Sequence, residues 1–118
     1  MLYIIHYDNE KELSKEVRAK LASSFDPECV KYEDLTESYM NFASANRELE
    51  KRLSTIDLLV VHPEINCYRL VMDYPEKFSK LRVAFLMPSK EEYEERGRLR
   101  LYSYANVDKL IDWIKNLE

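Results

Sequence analysis

The chain of 118 residues contains no glutamine, one glycine, four prolines and two cysteines. Each scarcity excludes something. A dinucleotide-binding turn needs several glycines so that backbone can approach a pyrophosphate, and "HYDNEKE" after the first apolar run has none. The phosphate-cradling G-x-x-x-x-G-K-[ST] loop and the G-x-S-x-G nucleophile elbow are absent for the same reason. A flavodoxin-type phosphate loop of Ser, Thr and Gly is also missing. Cys29 and Cys67 are far apart, and the default for each in a reducing compartment is a buried small hydrophobe. No apolar run approaches the ~20 residues that span a bilayer. The start "MLYIIHYD" lacks the basic region and small-residue cleavage site of a signal peptide, so a cytoplasmic protein without membrane contact is expected. Lys and Arg number 18 against 22 Asp and Glu, a net charge of −4, which gives no electrostatic basis for sequence-independent nucleic-acid binding. The 34% of charged residues, without glutamine, is a thermophile-like bias.

What remains is a chain of ordinary apolar content, 46%, long enough to bury a core as one domain over residues 1–118. Apolar, β-branched or aromatic runs alternate with helical patterns. The first strand is Leu2 to Tyr7, followed by a helix capped at Asn9, with Glu12 returning to the cap and Leu13, Val17 and Leu21 as its stripe. A short second strand covers Cys29 to Glu33. Thr36 caps a second helix with the stripe Tyr39, Phe42, Ala43, Asn46, Leu49 and Leu53. The third strand, Ile56 to His62, leads into a helix opened by Pro63 or Glu64 and ending near Pro75. The fourth strand is Leu81 to Met87. "PSKEEYEERG" then reads as a short polar helix, Ser89 to Arg96, with an S-x-x-E capping box and Gly97 as its C-cap. The fifth strand is Arg98 to Tyr104, and Asn106 caps a last helix carrying Val107, Leu110, Ile111, Ile114 and Leu117.

Strict strand–helix alternation predicts an α/β fold: a five-stranded parallel sheet with helices on both faces, three layers in all. Strands one, three and four are nearly continuous apolar runs, which suits central strands. Strand two is short. "RLRLYSY" alternates, which marks strand five as an edge. Right-handed crossovers then give the order 2-1-3-4-5.

"DLLVVH", Asp57 to His62, resembles the run in the receiver domains of bacterial response regulators whose last residue is the phosphate-accepting aspartate. The pattern resemblance spans essentially the whole chain and implies a flavodoxin-like topology and a signalling role. The signature residues depart from it. His62 stands at the acceptor position. His6 and Tyr7 stand where the Mg²⁺-holding acidic pair is expected, with Asp8 just beyond. The hydroxyl residue expected after strand four falls among Met87, Pro88 and Ser89, and the lysine expected after strand five falls near Ser103 or Tyr104. His62 cannot form an aspartyl phosphate, so the resemblance implies a pseudo-receiver.

The two histidines end matching strands, which in this topology border the binding crevice. One reading is a small site there: His6 and His62 as catalytic candidates, or His6, Asp8, His62 and Glu64 as metal ligands. The plainer reading is that each imidazole caps its strand end. Glu33 and Asp34, after strand two, read as solvated acids. Tyr93, Arg98, Arg100, Tyr102 and Tyr104 cluster on the last edge and suit an interface, since Tyr and Arg bury large area at modest entropic cost. Arg96, Arg98 and Arg100 suggest nucleic acid only weakly, because "EEYEE" lies beside them. The expected function is therefore a receiver-like regulatory or protein-interaction domain, not phosphorylated on aspartate and without a cofactor. It would act as a homodimer, or on a protein partner, through the strand-five edge. The alternative is a small enzyme or a ligand- or metal-binding protein using the His6/His62 end.

Overall fold

The computed structural model describes residues 1–39, 41–62, 73, 76–88, 94–96 and 99–117. Five strands run parallel: β1 (Leu2–Tyr7), β2 (Val30–Asp34), β3 (Leu58–Val61), β4 (Arg82–Met87) and β6 (Leu99–Ser103). A sixth, β5 (Glu94–Arg96), pairs antiparallel with β6 and ends the order β2-β1-β3-β4-β6-β5. The parallel part is thus the expected 2-1-3-4-5 sheet. Three helices are described: α1 (Lys15–Ser23), α2 (Phe42–Arg52) and α3 (Val107–Leu117).

Period-two alternation splits the core into two. Ile5, Tyr7, Leu59, Val61 and Val83 face α2, which contributes Ala45 and Leu49. Ile4, Leu58, Val60, Ala84, Leu86 and Tyr102 face α1 and α3, which contribute Val17, Leu21, Leu110 and Ile114. β3 is buried throughout, as its unbroken apolar run demands. The residues of each crossover helix thus form a layer on one side of the sheet or the other.

Several element boundaries differ from the sequence reading. α1 begins at Lys15, not after Asn9. The Asp8 carboxylate accepts the Glu10 N–H at 2.8 Å, an Asx-type turn that competes with helix for this stretch. Turns fill residues 11–14 and leave Leu13 outside the helix, 62% exposed. α2 is capped by Asn41, whose side chain accepts the Ser44 N–H at 2.9 Å, and not by Thr36. Its buried row is therefore Ala45 and Leu49, continued by Leu53 in the turn that follows, with Ala43 exposed. The expected helix over 63–75 lies almost wholly outside the described residues. The polar helix expected up to Arg96 is overturned in its described part, because residues 94–96 are β5. Cys29 is exposed and not a buried hydrophobe.

Candidate functional site

The even-numbered row of β1 places Ile4, His6 and Asp8 on the α1/α3 side, with Asp8 just past the strand end. Register continues the row onto β2, where Ile4 faces Tyr32 and His6 faces Asp34, and onto β3, where His6 faces Val60. His62 lies two residues beyond Val60, past the end of β3. The carboxyl ends of β2, β1 and β3 therefore bring Tyr32, Asp34, His6, Asp8 and His62 to one end and one face of the sheet. α1 adds Arg18, and the turn after β6 adds Tyr104.

Two polar clusters occupy this end. In the first, His6 is fully buried and its Nδ1 lies 2.5 Å from the Tyr32 hydroxyl. Burial lowers the His6 pKa to about 4, Asp34 pulls it back up and Arg18 lowers it further. The ring is neutral at pH 7, and its Nε2 has no hydrogen-bond partner among the described residues. Arg18 is the hub beside it. Its Nε donates to Ser14 Oγ at 2.8 Å and Nη2 to the Lys11 carbonyl at 2.7 Å, while Nη1 forms a 2.8 Å ion pair with Asp34. Burial alone would raise the Asp34 pKa, but bonds from Thr36 and Arg18 outweigh it and hold the carboxyl below its ordinary range. Burial also raises the Tyr32 pKa, so the phenol stays protonated. Asp34 is therefore a structural ion-pair partner and not a solvated acid.

The second cluster centres on Asp8, which is fully buried. Its Oδ2 accepts the Tyr104 hydroxyl at 2.5 Å, and its backbone N–H donates to Thr36 Oγ1 at 3.2 Å. Burial raises the Asp8 pKa, and the bonds from Tyr104 and Glu10 and the charge of His62 pull it partly back. Burial and the Asp8 carboxylate together raise the Tyr104 pKa, so Tyr104 acts as donor. The Tyr104–Asp8 bond joins the ends of β6 and β1 across β3 and β4. Tyr104 is, with Ser103, one of the two residues near which the resemblance to receivers puts a lysine.

The two histidines, expected to converge, belong to different clusters. Two residues of strand rise and one strand spacing separate their backbones by roughly 8 Å. His6 also turns toward Tyr32 on β2, on the opposite side of β1 from β3. His62 is 9% exposed and near enough to Asp8 to act on its charge. Glu64 lies outside the described residues. Among those described, no three His, Cys, Asp or Glu side chains are grouped to hold a metal ion.

The interface candidates need a larger correction. Tyr93 and Arg98 lie outside the described residues. Tyr102 does not face outward: it is wholly buried, 6.2 Å from the Trp113 ring in a stacked arrangement. The Arg100 guanidinium lies 4.2 Å over the same Trp113 ring, and Tyr104 is committed to Asp8. The reason is topological: α3 returns over the Arg100, Tyr102 and Tyr104 row after β6, so the alternation in "RLRLYSY" does not mark that row as facing solvent. β5, not β6, is the outer strand.

Tyr32, Arg18, Thr36 and Ser14 were not legible as site residues. One signal was available. Arg18 sits between the stripe residues Val17 and Leu21, and a cation there calls for a buried acid partner.

No protein-family model matches the chain, and no curated protein matches it. A solved structure described as "putative lipoprotein from Peptoclostridium difficile 630 (fragment)" is similar in fold, with a TM-score of 0.68 at 10% identity, and the match covers 98% of each chain. At that identity the likeness shows the fold alone. Among the described residues no helix is long and apolar enough to cross a membrane.

Proposed function

We propose that this chain is a receiver-like regulatory or protein-interaction domain that works without an aspartyl phosphate. The observation that carries the reading is the Tyr104–Asp8 bond beside His62. Phosphotransfer at this end of the sheet requires a free carboxylate nucleophile, an oxygen-ligated cation and a positive group for the phosphoryl oxygens. Here the carboxylate at the end of β1 is engaged by a phenol. Arg18, the guanidinium at this end, is engaged by Asp34. A polar end bonded to itself favours a fixed scaffold over a reacting one. In this reading the domain is not an enzyme, works in the cytoplasm, and acts as a homodimer or on a protein partner. Incubation with acetyl phosphate and Mg²⁺ should leave its intact mass unchanged. A gain of one phosphoryl group mapped to Asp8 or Asp57 would refute the proposal.

A second reading, ligand or metal binding at this end, is favoured by one atom. Among the described residues His6 Nε2 is buried without a partner, and such atoms in native proteins call for an explanation. If it serves a metal, Zn²⁺ or Ni²⁺ should raise the melting temperature by mass action, and His6→Ala with His62→Ala should abolish the rise. No shift at excess metal removes the metal form of this reading.

A further inference from the structure

At the opposite end of the sheet, the 3₁₀ turn Leu53–Thr55 after α2 and the turn ahead of β4 enclose a hollow of about 230 Å³. Its floor is the buried apolar set Leu53, Ile56, Phe78 and Leu81. Its rim carries the exposed residues Ser54, Lys77, Ser79 and Lys80, and among the described residues no carboxylate lines it. In a chain of net charge −4 this is a local reversal of sign. Among the described residues neither lysine meets a carboxylate, the ion pairs there being those of Arg18, Lys20, Lys51 and Arg52. Lys77 Nζ lies 5.4 Å from the Phe78 ring centroid, which keeps its ammonium group near the hollow.

The carboxyl end of α2 adjoins this hollow, and its carbonyl dipole opposes an anion. The Arg52 carbonyl there already accepts the Thr55 hydroxyl at 2.8 Å. Two full ammonium charges outweigh the fractional charge of a helix end. The size is below the range of roughly 300–1,000 Å³ typical for drug-sized ligands, but it admits one tetrahedral anion with a small apolar group. We infer that this hollow binds a phosphate or phosphomonoester dianion. Lys77, Lys80 and the hydroxyls of Ser54 and Ser79 take the phosphoryl oxygens, and the apolar floor takes the ester group.

The test is an amide NMR titration of the full chain with inorganic phosphate and, separately, phenyl phosphate, at ionic strength held constant with chloride. Saturable shifts should appear at Ser54 and residues 77–81. A phosphomonoester site should bind phenyl phosphate about tenfold more tightly than inorganic phosphate, because the floor buries the ring. Equal affinities would assign the site to phosphate itself. Lys77→Ala with Lys80→Ala should abolish saturation while the melting temperature stays within a few degrees, as for surface changes in general. Lys31→Ala, on the β2 edge, should change nothing. Shifts that fail to saturate, that chloride reproduces, or that survive in the double variant overturn the inference.

Discussion

His6 carries a pH dependence whose sign follows from its surroundings. In the folded chain its pKa is about 4, lowered chiefly by burial; the groups acting on it are Asp34 of β2 and Arg18 of α1, with the Tyr32 hydroxyl on Nδ1. In the unfolded chain it returns to about 6.5. Between those values the unfolded chain binds a proton that the folded chain refuses. His6 therefore contributes its full stability above pH 6.5, and that contribution is lost as the pH falls toward 4. The loss at pH 4.5 is on the order of 2 kcal/mol. Asp8 acts in the opposite direction, because its folded pKa is raised and the folded chain keeps that proton longer as pH rises from the unfolded carboxyl value. Urea unfolding from pH 7 to 4.5 should show stability falling in the unmutated chain and a flatter profile in His6→Gln. An unchanged slope in that variant would assign the titration to another group. The sequence located both histidines at strand ends but not which groups they meet, since Tyr32 and Arg18 arrive from other elements.

At the scale of elements, legibility followed the strength of one local signal. β1, β3 and β4 were readable because continuous apolar runs have few other places to go than the middle of a parallel sheet. β5 was misread because "SKEEYEE" combines helix-favouring residues with a capping box. The register pairs Arg96 with Leu99, and in the sequence Gly97 and Arg98 stand between those two residues. A Gly-x pair between two strands is a sign of a two-residue hairpin, and this was the competing signal. The same sheet edge shows what α3 does. Leu110 and Ile114 are fully buried on its stripe, and Trp113, off that stripe in the sequence reading, is 8% exposed against Tyr102. Trp113→Ala should cost about 3–5 kcal/mol in chemical denaturation, the usual range for a large buried aromatic. Trp113→Phe, which keeps a ring on Tyr102, should recover most of that. A loss below about 1 kcal/mol, the level of an exposed substitution, would mean that α3 does not press this ring onto the sheet.

For the molecule as a whole, the structure moves the edge at which assembly is expected from β6 to β5. The sheet ends in β2 on one side and in the three-residue β5 on the other. β2 carries the exposed Lys31 and, beside it, a cluster in which Arg52 pairs with Glu33 at 3.0 Å and donates to the Tyr3 hydroxyl. A lysine and a bonded charge cluster are common means of blunting an edge. β5 is short, which also limits an edge, yet it leaves one row of backbone groups facing away from β6. A two-fold dimer is the commonest closed arrangement of identical chains. Antiparallel pairing of β5 with its copy would run one sheet through both subunits. Tyr102 is useless as a probe of such a dimer, because it is buried in the single chain and its loss would unfold before it dissociated. The informative measurements are mass and edge protection. Light scattering at high micromolar concentration should give twice the 14.2 kDa chain mass. Amide exchange at residues 94–96 should slow as concentration rises, while β2 amides stay constant. A mass of one chain at that concentration removes the dimer, and a dimer with concentration-independent exchange at 94–96 moves the contact away from β5.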